Sequence, residues 1–187
     1  MTDELAMELP PPRGGLPSAY AIAFVCLGNI CRSPTAEAVM TYKLEEAGLS
    51  RVAVHSAGTG TWHIGEQMDR RAASTLVADG YDPTRHRAEI FEVDWFSAHD
   101  LVLAMDRHNF HDIQELVADE GDRDRVMMFR AFDPYADGDL DVPDPFSGGQ
   151  DGFDEVLAIV ERTCSTLVDA LAAIPGVGAA DRTDRRS

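Results

Sequence analysis

One short segment carries most of the residues that could perform chemistry. Residues 25–34 read VCLGNICRSP, with Cys26 and Arg32 near the two ends of a glycine-containing loop. A cysteine acts as a nucleophile in its thiolate form, which a helix N-terminus, exposed backbone N–H groups and a nearby guanidinium all favour. The same donors can hold the oxygens of a phosphoryl group, and arginine can bind them in a bidentate manner. The segment therefore predicts a loop that holds a phosphate beside a cysteine nucleophile.

The other residues of this loop fit the prediction. Gly28 lets the backbone wrap around an anion, and Asn29 is one of the few non-glycine residues that tolerate a positive φ. Ser33 can donate its hydroxyl group to the thiolate, and Pro34 suits the first turn of a helix, where no N–H is needed. The cysteine–arginine spacing alone is weak evidence, because it also occurs by chance. In the alternative interpretation, the cysteine is a buried, inert residue and the arginine is a surface charge.

Strand-like and helix-like segments alternate on both sides of the loop. Residues 20–26 are β-prone, and residues 35–47 have apolar side chains at helical spacing, followed by Gly48 as a suitable C-cap. Further strands are predicted at 51–56, 100–105 and 125–129, and further helices at 67–79, 107–117 and 153–172. This alternation predicts an α/β sandwich with parallel strands. Such sheets bind ligands at the carboxyl ends of their strands, where Cys26 lies.

Chain breakers and charges divide the chain into one domain and two tails. Residues 1–18 contain three consecutive prolines and predict a flexible N-terminal extension. Residues 174–187 contain Pro175, two glycines and a charged end, and predict a flexible C-terminal tail. The domain is predicted over residues 19–173, because a chain of 187 residues with 44% apolar side chains can bury one core.

Composition limits the partners and the compartment. The chain has 33 acidic and 16 basic side chains, a formal net charge of −17, so we expect neither a nucleic-acid partner nor a membrane. Three cysteines do not make a disulfide framework, and no signal peptide or membrane-spanning run is evident, which favours the cytoplasm. We expect a monomer or weak self-association. No metal site is expected from Cys26, Cys31 and Cys164, or from His108 and His111, which suit a solvated helix face.

Five further motifs extend the pattern of the loop. They are SAGT at 56–59, WHIG at 62–65, HRA at 86–88, AMD at 104–106 and DPF at 144–146. With residues 25–34, and in this order, they make the chain resemble the low-molecular-weight protein tyrosine phosphatases from about residue 20 to residue 172. The resemblance implies a four-stranded parallel twisted sheet flanked by helices on both faces, a three-layer, Rossmann-like fold. It also implies hydrolysis of phosphotyrosine through a cysteinyl-phosphate intermediate, with no metal and no cofactor.

The resemblance also implies a role for individual residues. Cys26 would be the nucleophile, Arg32 the phosphate clamp, and Asp144 the general acid on a loop stiffened by flanking prolines. Ser56 and His86 would brace Asn29. The implied substrate-binding residues are those of the loop and of an apolar rim: Leu27, Gly28, Asn29, Ile30, Cys31, Ser33, Trp62 and Phe146. The expected substrate is a phosphotyrosine-containing protein or another aryl phosphate, and inorganic phosphate is the product.

Two local features admit more than one interpretation. In the family a second loop cysteine can form a reversible disulfide with the nucleophile, which is one interpretation of Cys31; the other is a small buried hydrophobe. Four acidic residues, Asp133, Asp137, Asp139 and Asp141, precede the proposed acid. We hypothesise that these charges help to keep Asp144 protonated, and the alternative is a solvated acidic turn.

One departure and two rival functions complete the sequence analysis. Many family members have two adjacent tyrosines after the proline of the acid loop, whereas this chain has Phe146 and Ser147, so only one aromatic wall is retained. An arsenate reductase of the same fold would need two further cysteines in the middle of the chain, but none lies between Cys31 and Cys164. A catalytically weak phosphotyrosine-binding module is the second rival, although the nucleophile, the arginine and the candidate acid are all present.

Overall fold

A computed structural model describes residues 7–178 of the chain. Four parallel strands form one sheet in the order β2-β1-β3-β4. The strands are β1 Tyr20–Cys26, β2 Val52–Gly58, β3 Leu101–Ala104 and β4 Val126–Met128. The helices are α1 Arg32–Ala47, α2 Arg70–Ala78, α3 Asp94–Ala98, α4 Arg107–Leu116, α5 Glu120–Arg123 and α6 Gln150–Ala172, with a 3-10 turn at Phe129–Phe132. The predicted four-stranded parallel sheet is confirmed.

Strand β1 lies between β2 and β3, and its alternate side chains enter two separate cores. Tyr20, Ile22 and Phe24 pack in the larger core with apolar residues of α1 and α6. Ala23 and Val25 pack in the smaller core with residues of α3 and α4. Helices therefore cover both faces of the sheet, and the predicted three-layer arrangement is confirmed.

Most predicted elements are present, with ends that differ by a few residues. Helix α1 begins at Arg32, three residues before the predicted start, so the loop after β1 leads directly into its first turn. Gly48 ends α1 with a φ of 72°, as its predicted role of C-cap requires. Helix α2 is shorter than predicted because the Asp69 side chain caps it. The sequence did not predict α3 and α5, since five and four residues are too few to show helical periodicity.

The N-terminal segment has more contacts than a flexible extension would have. Residues 7–18 form neither helix nor strand. The backbone N–H of Arg13 nevertheless donates to Oδ1 of Asp100 at 2.7 Å, and its Nε donates to the carbonyl of His99 at 3.0 Å. The Tyr20 hydroxyl donates to the carbonyl of Pro10 at 2.8 Å. These bonds hold residues 10–13 against the amino ends of the strands, while residues 1–6 lie outside the described part of the chain.

The first residues after α6 also pack against the domain. Val177 is buried in the larger core, and Ile174 packs beside it. The predicted tail thus begins with packed residues, and its remainder, 179–187, lies outside the described part of the chain, as do the first six residues. The domain boundaries at 19 and 173 stay predictions. Within residues 7–178, no helix has the length and apolar character needed to cross a bilayer.

Candidate active site

The loop between β1 and α1 lies at the carboxyl ends of the strands. Cys26 is the last residue of β1, and Arg32 is the first residue of α1. Between them, Asn29 takes a φ of 55°, the left-handed conformation that the sequence analysis allowed for. The end of β2 passes close to this loop, because a Cβ added to Gly58 would lie 2.7 Å from the carbonyl oxygen of Leu27. A glycine at this point of β2 therefore allows the loop its compact path.

Hydrogen-bond donors surround the thiol of Cys26. The backbone N–H of Asn29 donates to Sγ at 3.3 Å, and the hydroxyl oxygen of Ser33 lies 2.9 Å from Sγ. Both residues are completely buried. The N–H of Asn29 points at the sulfur and the Ser33 hydroxyl is able to donate to it, which is an arrangement that a cysteine nucleophile needs.

The guanidinium of Arg32 lies beside this thiol and is only 3% exposed. Its Nη1 donates to Oδ2 of Asp106 at 2.6 Å and to the carbonyl of Val142 at 3.1 Å. Burial by itself would lower the pKa of this guanidinium, but Cys26 and the hydrogen-bonded Asp106 outweigh it, so the pKa lies above its ordinary value. Arg32 is therefore a fixed positive charge, with its orientation set by partners from two other loops.

Asp144 reaches the same place from the long connection between the 3-10 turn and α6. Its Oδ2 lies 3.7 Å from Nη2 of Arg32, and its Oδ1 accepts a hydrogen bond from the backbone N–H of Phe146 at 3.1 Å. The Asp144 side chain is 50% exposed. A carboxyl group thus stands at the edge of the site, where it can contact both a bound group and water.

A pocket of about 130 Å³ joins these residues. It is lined by Cys26, Leu27, Gly28, Ile30, Cys31, Arg32, Trp62, His63, Asp144 and Phe146. Charged groups lie at its floor, and the exposed side chains of Leu27, Trp62 and Phe146 form an apolar rim. Such a pocket suits a ligand with an anionic head and a flat apolar body.

Two of the residues expected to bind substrate, Asn29 and Ser33, are absent from the lining of the pocket. The Asn29 side-chain amide donates to the hydroxyls of Ser33 at 2.8 Å and Ser56 at 3.0 Å, and its carbonyl oxygen accepts from the backbone N–H of Glu89 at 2.9 Å. The side chain of Asn29 therefore holds the shape of the loop, and its backbone N–H is the group that faces the thiol.

His86 and Glu37 complete the support of the loop. Nε2 of His86 lies 2.6 Å from the carbonyl oxygen of Asn29, so this nitrogen carries the hydrogen and donates it. The carboxylate of Glu37 accepts from the hydroxyl of Ser56 and lies 3.7 Å from Nδ1 of His86. Ser56 and His86 thus contact Asn29, as the resemblance implied, whereas sequence reasoning missed Glu37 because its position on α1 carries no motif.

Comparisons with known proteins agree with this geometry. Residues 21–174 match the family model for "Low molecular weight phosphotyrosine protein phosphatase". The chain belongs to this family. A low molecular weight protein-tyrosine-phosphatase of Streptomyces coelicolor is 47% identical over 154 residues, which cover 81% of this chain and 93% of the relative. Protein-tyrosine phosphatase A of Mycobacterium tuberculosis is 43% identical over 150 residues, 79% of this chain and 89% of the relative.

Solved structures give the same family. A protein tyrosine phosphatase from Entamoeba histolytica, crystallised with Hepes in its active site, has a TM-score of 0.77 and 33% identity, and the match covers 81% of this chain and 96% of that structure. The predicted family and enzyme class are confirmed: the protein is a hydrolase of the protein tyrosine phosphatase class.

Sequence reasoning missed several residues around the site of this phosphatase. His63 lines the pocket, and its Nδ1 lies 2.7 Å from Oε2 of Glu66. Asp106 orients Arg32, as described above. His63 lies in the motif at 62–65 and Asp106 in the motif at 104–106, so the sequence did carry a signal for both. Arg71 of α2 bonds to the carbonyls of Phe146 and Gly148 beyond the candidate acid, and no local signal pointed to it.

The remaining cysteines of the phosphatase are chemically unlike a catalytic thiolate. Burial raises the pKa of the Cys31 thiol to about 12, with further contributions from Asp69, Cys26 and Asp144. Burial in α6 also raises the pKa of the Cys164 thiol. All three cysteines of the chain are free. At neutral pH, Cys31 and Cys164 are therefore neutral thiols.

The acidic residues before Asp144 have partners of their own. Both oxygens of the buried Asp133 are bound by Arg162, at 2.7 Å and 2.9 Å, and Arg130 adds a bond at 3.1 Å. Burial would raise the pKa of Asp133, but the hydrogen bonds from Arg162 and Arg130 lower it overall. Asp141 accepts from the backbone N–H of Arg107 at 3.0 Å. Two guanidinium groups therefore balance the charge of Asp133, and the hypothesis that the acidic cluster keeps Asp144 protonated stays a prediction.

No metal centre is evident at this site. Among residues 7–178, no three His, Cys, Asp or Glu side chains stand together in an arrangement that could hold a metal ion.

Proposed function

We propose that this protein hydrolyses phosphotyrosine, and aryl phosphate monoesters generally, through a cysteinyl-phosphate intermediate. One observation carries the proposal: Cys26, Arg32 and Asp144 converge on a single pocket whose rim is apolar. A nucleophile, a fixed cation and an acid are the three groups that metal-free phosphoryl transfer requires.

In the first half of the reaction, the phosphoryl group moves to the protein. Sγ of Cys26 attacks phosphorus, an S–P bond forms, and the bond from phosphorus to the phenolic oxygen breaks. Arg32 and the loop N–H groups hold the other phosphoryl oxygens, on which charge is spread in the transition state. Asp144 gives its proton to the leaving phenolate, so the alcohol departs as a neutral phenol.

In the second half, water removes the phosphoryl group. The Asp144 carboxylate takes a proton from a water molecule, whose oxygen attacks phosphorus as the S–P bond breaks. Inorganic phosphate leaves, and the Cys26 thiolate is restored. Asp144 thus alternates between acid and base, for which its position at the rim gives it access to both the leaving group and water.

The rim supports aryl over alkyl phosphates. Leu27, Trp62 and Phe146 offer apolar surface beside the charged floor, with Trp62 70% exposed. A tyrosine ring can pack between these side chains while its phosphate reaches the loop, whereas the short stem of phosphoserine cannot fill the same depth. The substrate we propose is accordingly a phosphotyrosine-containing protein.

The net charge and the free thiols bear on the partners and the compartment of the protein. A formal net charge of −17 disfavours nucleic acids and anionic membranes as partners, and three free thiols suit the cytoplasm. A monomer or a weakly associating protein is sufficient, because one chain supplies every catalytic group. The reductase alternative is disfavoured, since no cysteine lies between Cys31 and Cys164, and Cys164 is fully buried in α6.

The test is hydrolysis of p-nitrophenyl phosphate in the presence of EDTA. We expect turnover by the wild type, none by Cys26→Ser, and a reduced rate in Asp144→Asn that becomes much lower when phenyl phosphate, a poorer leaving group, is the substrate. An active Cys26→Ser variant would overturn the mechanism. Binding of the substrate by the wild type without turnover would instead identify a phosphotyrosine-binding module.

A further inference from the structure

Arg71 of α2 forms hydrogen bonds with the loop that carries the candidate acid. Its Nη2 donates to the carbonyl of Phe146 at 2.9 Å, and its Nη1 donates to the carbonyl of Gly148 at 3.2 Å. The guanidinium also lies 4.6 Å from the ring centre of Phe153 and 5.8 Å from that of Phe146. Arg71 thus contacts the acid loop on the carboxyl-terminal side of Asp144.

The other side of Arg71 is held by Asp69. Nε and Nη2 of Arg71 bind the two oxygens of the Asp69 carboxylate at 3.1 Å and 3.0 Å, a bidentate pair. The backbone N–H of Asp69 donates to the carbonyl of Ile30, in the middle of the phosphate loop, at 2.8 Å. A continuous set of bonds therefore runs from the phosphate loop through Asp69 and Arg71 to the acid loop.

This set of bonds reaches Asp144 through Phe146. Phe146 is the residue whose carbonyl binds Arg71 and whose N–H binds Oδ1 of Asp144. Holding Phe146 in place therefore restrains the carboxyl group of Asp144 as well as the aromatic wall. The hydrogen bond with Arg71 lowers the pKa of Asp69 below its usual value. The ion pair of Asp69 and Arg71 therefore persists at the pH values of an ordinary assay.

We propose that Arg71 is a positioning residue that sets the distance and orientation of Asp144 relative to the phosphate loop. The inference rests on the proposed function of this site. It assigns Arg71 no contact with the substrate, and its effect is transmitted through Phe146. A misplaced acid is costly even when it remains present, since proton transfer to the leaving group requires hydrogen-bond distance.

The first experiment compares leaving groups. Arg71→Met keeps an apolar stem over Phe153 and removes every donor. We expect kcat/KM of this variant to fall about 10-fold with phenyl phosphate and at most about 2-fold with p-nitrophenyl phosphate, because only the poorer leaving group depends strongly on the acid. Arg71→Lys keeps the charge and one donor direction, and should recover part of the loss.

The second experiment is a double-mutant cycle with Asp144→Asn. If Arg71 acts through the acid, Arg71→Met should cost nothing further in kcat/KM once the acid has been removed. An unchanged loss in the Asp144→Asn background would overturn the proposal, and so would equal losses with both substrates. Inactivity of the wild type towards both esters would refute the proposed function itself, which distinguishes the two failures.

Arg162→Met is the matched control. Arg162 also makes a bidentate pair with an aspartate, Asp133, and lies 5.8 Å from the ring centre of Tyr135. It therefore holds the beginning of the chain segment between the 3-10 turn and α6, and within residues 7–178 its guanidinium makes no bond to residues after Asp144. We expect this variant to lose thermal stability but to keep the wild-type ratio of kcat/KM between the two esters, and a changed ratio would show that any loosening of the connection produces the effect.

Discussion

The two ends of the central sheet each bury a charged side chain, and they use it differently. At the amino ends of the strands, Asp100 is 1% exposed and accepts from the backbone N–H groups of Arg13 and Ala21, both at 2.7 Å. At the carboxyl ends, Arg32 is 3% exposed and donates to Asp106 and Val142. The first charge has partners from the chain on both of its oxygens, whereas the second also lines an open pocket.

The polar cluster at the amino ends serves the stability of the fold, whereas the cluster at the carboxyl ends is also open to a ligand. A buried charge costs free energy unless hydrogen bonds replace its water, and both ends meet that condition. At the amino ends, both oxygens of Asp100 are bound by N–H groups of the chain, and one of these bonds holds the N-terminal segment against the sheet. At the carboxyl ends, Arg32 and Cys26 line one cavity, so we expect a buried polar cluster of the same type to bind an anion from outside.

The largest expected effect at the carboxyl end comes from Arg32→Lys. The ammonium group keeps the positive charge but cannot bind Asp106, Val142 and a phosphate together in a planar fork. We expect kcat/KM for p-nitrophenyl phosphate to fall about 10²- to 10³-fold for the folded variant. Near-wild-type activity would mean that charge alone holds the phosphate, and that the two ends differ less than their geometry indicates.

The amino end is tested by Asp100→Asn. The amide is isosteric, but its NH2 group must face a backbone N–H in place of an accepting oxygen, so one buried donor loses its partner. We expect the free energy of unfolding to fall by about 2 kcal/mol, measured by urea denaturation. The kcat/KM of the folded variant should remain that of the wild type. A loss of activity larger than the loss of folded protein would contradict the separation of the two ends.

The smallest expected effect concerns Cys31 and Cys26, which lie together at the carboxyl ends of the strands. Because burial raises the pKa of Cys31 to about 12, well above the ordinary thiol value, this group stays protonated throughout pH 5–9 and gains no reactivity as the pH rises. Cys31→Ser should leave the rate of inactivation by iodoacetate unchanged at every pH in that range. In Cys26→Ser, mass spectrometry should detect no labelling of the pocket. Labelling of Cys31 in that variant would refute the prediction.

Features that depend on neighbouring residues could be predicted from the sequence, whereas features that depend on residues far apart in the chain could not. Strand β1 and helix α1 were predictable, with the start of α1 three residues late, because their apolar pattern and Pro34 are local signals. Asn29 at positive φ was anticipated for the same reason. The position of Arg13 was not, since its partner Asp100 lies 87 residues away and its neighbours are prolines and glycines that ordinarily indicate a flexible segment.

The phosphate loop is the part of this protein that the sequence determined by itself. The proposed nucleophile Cys26, Arg32 and the backbone N–H groups between them lie within seven consecutive residues, so their proximity follows from the sequence. The resemblance named Asp144 as the acid, but how the remaining groups meet was decided only by the tertiary structure. Asp144, the Asp106 that orients Arg32, and the Arg71 that holds the acid loop come from separate connections, and their meeting depends on how sheet and helices pack. Contacts between segments far apart in the chain leave no periodicity or spacing in the sequence from which they could be read.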